Sequence, residues 1–94
     1  MMDDSIHILL IEDDPAHAEL IQRAFEHRGG GSHLTIADSL SEARAQIKRA
    51  KPTLIIADWR LPDGDSRELL SDENETVNLP VIIMTSYGSE KNAV

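Results

Sequence analysis

The stretch Ile6-His7-Ile8-Leu9-Leu10-Ile11-Glu12-Asp13-Asp14-Pro15 decides how this chain folds. Six mostly apolar residues have the length of a buried strand, and they run directly into three acids. Asp14 can cap a helix and Pro15 suits its first turn, so the acids lie between a strand and a helix N-terminus. The pattern recurs downstream. Thr53-Leu54-Ile55-Ile56-Ala57 runs into Asp58, and Pro80-Val81-Ile82-Ile83-Met84 runs into Thr85-Ser86.

Between these runs the period changes to that of helices. Ala16, Leu20, Ile21, Ala24 and Phe25 form one apolar stripe, which Gly29-Gly30-Gly31 ends. A short strand is expected from about His33 to Ala37. Ser39-Leu40-Ser41-Glu42 has capping-box spacing, and Leu40, Ala43, Ile47 and Ala50 make the next stripe before Pro52. Asp65-Ser66-Arg67-Glu68 repeats that spacing and opens a short helix to about Leu70. Residues 71–79 read as loop, and Ser89 as the cap of a further helix.

Alternating strands and helices imply an α/β fold, a doubly wound parallel sheet with right-handed crossovers. Ligands in such sheets bind beyond the carboxyl ends of the strands. Parallel strands therefore bring Glu12, Asp13, Asp58 and Thr85 to one edge. Two carboxylates about 4 Å apart repel by roughly 4 kcal/mol at an effective dielectric near 20. A cluster of three calls for a protonated carboxyl or a bound cation. All-oxygen donors favour a hard cation, Mg²⁺ or Mn²⁺, which suits a phosphoryl group beside it.

Composition narrows the partners. The chain has 94 residues, the length of one domain, with 17 Asp and Glu against 9 Lys and Arg and a net charge of −8. This balance argues against direct nucleic-acid contact and against an anionic membrane surface. Cysteine is absent, so disulfides and thiolate metal sites are excluded. Apolar runs are far shorter than a membrane span, and a cytoplasmic location is expected. His7, His17, His27 and His33 show no converging ligand spacing, and the acidic stretch 63–75 reads as a solvated face.

In ILLIEDDP, LIIADWRLPDGD and LPVIIMTSYGS, in this order, the chain resembles the receiver domain of two-component response regulators from about Ile6 to Val94. The resemblance implies a flavodoxin-like three-layer fold with strand order 2-1-3-4. It makes Asp58 the phosphoacceptor for a sensor histidine kinase or phosphotransfer protein, and Asp13 a direct Mg²⁺ ligand. Glu12 would support the metal through water, and the backbone carbonyl of Arg60 would be a further ligand. Thr85 would contact the phosphoryl group and switch, with Ser86 the small neighbour that leaves it room. Asp14 matches no ligand position and is assigned to capping. Trp59 is expected to pack on the loop and to serve as a fluorescence probe.

The resemblance also implies a Lys after a fifth strand, which this sequence does not reach. Lys91 falls at the start of the expected fourth helix and Lys51 precedes strand three. Residues 1–94 are thus expected to form a single receiver domain, incomplete at its C-terminus and part of a longer product. Self-association through an exposed strand-four edge is also expected. Two rival readings stand beside the phosphoacceptor. One is an interaction module with a vestigial site. The other is an aspartyl phosphohydrolase of the haloacid-dehalogenase type, whose Asp-x-Asp after strand one Ile11-Glu12-Asp13-Asp14-Pro15 does not fit.

Overall fold

The computed structural model describes residues 6–28, 32–71 and 79–84. In chain order these form β1 (Ile6–Ile11), α1 (Pro15–Arg28), β2 (Ser32–Ala37), α2 (Leu40–Arg49) and β3 (Leu54–Asp58). Then come β4 (Arg60–Leu61), β5 (Gly64–Asp65), a 3₁₀ helix (Ser66–Ser71) and β6 (Val81–Met84). The main sheet has the order β2-β1-β3-β6, with every pairing parallel. Counting only its own strands, that is the expected order 2-1-3-4.

Register fixes where the strands end. Ile11 lies beside Ala37 on one side and Ala57 on the other, and Asp58 lies beside Met84. The residue after Ile11 is therefore a neighbour of Asp58. The backbone continues the alignment, because the Glu12 N–H donates to the Ala37 carbonyl at 2.9 Å. Strand three, expected over 53–57, is displaced by one residue, which makes Asp58 the last strand residue instead of the first loop residue. The Thr53 N–H still donates to the His7 carbonyl at 2.7 Å, so the ladder begins before the strand's formal start.

The core is aliphatic. Leu9, Ile11, Ala37, Leu40, Ala43, Ile47, Ile55, Ala57, Leu61 and Leu69 form one buried cluster. Burial of such side chains stabilises by about 1.5–3 kcal/mol each for Leu and Ile. Helix α2 presents the expected stripe, with Leu40, Ala43 and Ile47 buried, and ends at Ala50, an exposed C-cap. Helix α1 is rotated from its expected stripe. Ala18 is the buried residue, Ile21 and Phe25 are half-buried, and Ala16, Leu20 and Ala24 face outward. The inward side is therefore centred on Ala18, Ile21 and Phe25, so only Ile21 and Phe25 of the expected stripe turn inward.

The second, antiparallel sheet of β4 and β5 is not signalled by the sequence pattern. Arg60 pairs with Asp65 and Leu61 with Gly64, leaving Pro62-Asp63 as a two-residue loop. The Pro-Asp-Gly run is a recognisable turn, but two-residue strands are too short to carry a period. Gly64 has φ +149, and a Cβ there would lie 2.9 Å from both the Leu40 side chain and the Glu68 carboxylate. Only glycine suits this position without strain. The short helix expected after Asp65 is present as 3₁₀.

Candidate functional site

The site begins at the end of β1. Glu12 is 3% exposed although it carries a carboxyl group, and with Ser66 it makes up the buried polar residues among those described. Asp13 is exposed and Asp58 half-buried. One carboxylate oxygen from each of Glu12, Asp13 and Asp58 lies within 4.8 Å of the others. The strand ends thus bring together three of the acids that the sequence places at one edge. Asp38 follows β2 at the same edge but is exposed and outside this group. Thr85 and Ser86, together with Tyr87, Ser89, Lys91 and the glycine run 29–31, lie outside the described residues.

The electrostatics follow from crowding. Burial raises the Glu12 carboxyl above its ordinary value, opposed by the Asp14 N–H and reinforced by the charge of Asp58. Burial also raises Asp58, against the Trp59 backbone amide and with the help of Asp13. Both groups resist ionisation because water is withdrawn and a like charge is near. The donor set is entirely carboxylate oxygen, which fits a hard divalent cation such as Mg²⁺ or Mn²⁺ and would offset that repulsion.

Asp14 leaves the cluster. Its Oδ1 accepts the Ala16 N–H at 3.0 Å, and its carbonyl accepts the Ala18 N–H at 2.9 Å, the pattern of a helix N-cap. Arg60 opens β4, with its backbone fixed by pairing to Asp65.

Three contacts here escape a reading of the sequence. His17, for which spacing in the sequence signals no partner, has its Nδ1 2.8 Å from Glu12 Oε1. Side chains in a helix lean toward its N-terminus, so the third residue of α1 reaches back over the turn that carries Glu12. Nor is the stretch from Asp63 simply a solvated face. Asp63 Oδ1 and Oδ2 accept the Leu40 and Ser41 N–H groups at 2.8 and 3.0 Å, capping α2 from a loop 23 residues away. Ser66 is fully buried, and its N–H and hydroxyl both donate to the Trp59 carbonyl, at 2.8 and 3.1 Å.

Trp59 packs on this loop as expected, with more partners than the sequence signals. Its N–H donates to the Met84 carbonyl at 3.0 Å, joining the loop to β6. Its Nε1–H donates to Asp65 Oδ2 at 3.1 Å. The guanidinium groups of Arg60 and Arg67 lie 5.2 and 5.4 Å from its ring centre, within cation–π range. Arg67 in turn pairs with Asp65 at 2.8 Å. Asp65 also accepts the Arg67 N–H at 2.8 Å while the Asp65 N–H donates to Glu68 at 3.3 Å, so side chains cap in both directions at the start of the 3₁₀ helix.

A parallel sheet of this order, with acids at the ends of its first and third strands, has counterparts among known proteins. The model of the response regulator receiver domain matches residues 8–94, and the chain belongs to this family. It is 37% identical over 90 residues to the methanogenesis regulatory protein FilR1 of Methanothrix harundinacea, an alignment covering 92% of this chain and 20% of that protein. The chain thus spans about a fifth of that relative's length.

Among solved structures, the MaeR response regulator bound to beryllium trifluoride superposes with a TM-score of 0.75 at 26% identity, covering 85% of this chain and 66% of that one. The phosphorylated cyanobacterial phytochrome response regulator RcpA gives a TM-score of 0.73 at 29% identity, covering 84% and 64%. Two-component signalling is therefore the setting of this domain. No helix among the described residues is long and apolar enough to cross a membrane.

Proposed function

We propose that this receiver domain accepts a phosphoryl group on Asp58 from a phosphohistidine of a sensor kinase or phosphotransfer protein, in the cytoplasm. The observation that carries this reading is the carboxylate group of Glu12, Asp13 and Asp58, gathered at the carboxyl edge of the parallel sheet. An Asp58 oxygen attacks phosphorus, the P–N bond breaks, and its electron pair returns to the donor imidazole. The product is an acyl phosphate on Asp58. Phosphoryl transfer of this kind is mostly positioning and charge neutralisation, so the domain acts as a signalling acceptor with weak self-catalysed chemistry.

Asp13 and Asp58 would hold Mg²⁺ or Mn²⁺ directly, with Glu12 through water and the Arg60 carbonyl as further oxygen donors. The cation supplies positive charge against the transferred group. Trp59 and Ser66 keep the loop after Asp58 in one shape, because the Trp59 carbonyl takes two donors from Ser66. Thr85 would give the phosphoryl group a contact that exists only after transfer, and only such a differential contact shifts a conformational equilibrium. Ser86 would leave the room this needs. The beryllium trifluoride and phosphorylated states of the two similar structures support the same chemistry here.

Incubation with acetyl phosphate and Mg²⁺ tests the reading. Mass spectrometry should find one phosphoryl group on Asp58, lost on hydroxylamine treatment. Equal labelling of the Asp58→Asn variant would show that the acceptor is another residue.

A further inference from the structure

Glu12 is almost sealed from solvent, yet both of its carboxylate oxygens have partners. Oε2 accepts the Asp14 backbone N–H at 3.2 Å. That contact comes from the main chain and does not depend on which side chain follows. Oε1 lies 2.8 Å from His17 Nδ1, and this contact does depend on the residue. The His17 side chain is 39% exposed against 2% for that of Glu12, so the ring meets solvent while the carboxylate it contacts is covered. A Glu side chain has three rotatable bonds, and a terminal carboxylate turns freely unless it is held. Held at both oxygens, it presents one orientation toward Asp13 and Asp58.

We infer that His17 is a positioning residue for Glu12, fixing the carboxylate that supports a divalent cation and thereby setting the site's affinity and its preference among cations. This rests on the reading that a cation binds beside Asp58. The physical expectation is specific. Mg²⁺ and Mn²⁺ require near-octahedral geometry at short distances, whereas Ca²⁺ tolerates longer and irregular ligand sets. Loosening Glu12 therefore harms binding of the small ions more than binding of the large one.

The test measures free Mn²⁺ by electron paramagnetic resonance in the presence of the protein, then displaces it with Mg²⁺ or Ca²⁺. His17→Leu removes the donor and keeps the bulk. It should lower Mn²⁺ and Mg²⁺ affinity about tenfold, as loss of an outer partner of a metal site does. Its Ca²⁺ affinity should change by less than about threefold, because Ca²⁺ accepts a relaxed shell. His17→Asn should recover most of the loss, because Asn Nδ2, like His Nδ1, is bonded to Cγ. If His17→Leu does not fold, judged by circular dichroism, His17→Gln displaces the donor by one carbon and should show the same loss.

Unchanged affinities in the donor-removing or donor-displacing variant overturn the inference and leave the cation site standing. An equal loss for all three ions without rescue by Asn also overturns it, because His17 then acts only through the fold. Failure of the wild-type protein to bind Mn²⁺ overturns both this inference and the reading beneath it.

Discussion

Asp58 and Asp63 are five positions apart in sequence and electrostatic opposites. Asp58, with Glu12, sits where strands end, short of water and next to other acids, and its carboxyl is raised. Asp63 is exposed on the hairpin loop, and the Leu40 and Ser41 amides lower its carboxyl. Asp65, two residues on, is held lower still by the Arg67 guanidinium and backbone amide. The same residue type is a crowded acid in one place and a satisfied fastening in the other. Burial beside like charges makes the first; N–H and guanidinium partners make the second.

Substituting the proposed acceptor, Asp58, should have the largest effect. Asp58→Asn is expected to abolish labelling by acetyl phosphate, read by intact-mass spectrometry. At neutral pH without metal, the same change should raise the melting temperature by roughly 4 °C or more. That is the shift given by about 1 kcal/mol of relieved repulsion in a domain of this size. A lower melting temperature would mean that the three carboxylates do not repel as their spacing requires.

Next comes metal binding. Mg²⁺ should change Trp59 fluorescence with saturation, and Asp13→Asn should weaken the apparent affinity by about tenfold or more. A flat titration of the folded wild-type protein would contradict a cation site next to Asp58.

The pH dependence separates the two kinds of acid. Glu12 and Asp58 are raised above 4.5 and 3.8, so the folded chain binds their protons more tightly than the unfolded chain does. Their ionisation costs stability as pH rises through the folded values. Asp63 and Asp65 are lowered from 3.8, so their contribution is present above that value and is lost as pH falls through the folded ones. The metal-free melting temperature should therefore peak at mildly acidic pH and decline on both sides, and Mg²⁺ should flatten the decline toward neutrality. A metal-free profile that rises steadily up to pH 7 would break the contrast.

The smallest effect is expected at the fastening itself. Asp63→Ala removes a cap made across the fold and should lower the melting temperature by a few degrees. Labelling of Asp58 should persist. Complete loss of labelling in a folded variant would mean that the hairpin controls the acceptor more directly than its hydrogen bonds indicate.

The parallel sheet was legible because Ile6–Ile11, Leu54–Ala57 and Val81–Met84 are apolar runs of strand length separated by capped helices. Glu12, Asp13 and Asp58 could be placed together because parallel register carries strand ends to one edge whatever the side chains do. What escaped depends on tertiary approach. The 2.8 Å contact of His17 with Glu12 needs the lean of a helical side chain. The Asp63 cap joins residues 23 positions apart and has no local signature. Helical period alone does not give the inward face of α1, where Ala18 is buried and the larger Leu20 is 65% exposed.

Parallel pairing has a kinetic consequence. Strand β1 meets β2 and β3 only after long loops close; His7 and Thr53, bonded across that seam, are 46 residues apart. Contacts of such separation form slowly, because loop entropy is lost before the contacts form. The carboxylates of Glu12 and Asp58 are strangers in the unfolded chain and become neighbours only when this seam zips. A cation that binds only the assembled edge stabilises the native state by RT ln(1 + [L]/Kd). Varying Mg²⁺ during refolding would therefore date the closure of the β1–β3 seam. A cation-sensitive folding rate would place it before the rate-limiting barrier, and a cation-sensitive unfolding rate would place it after.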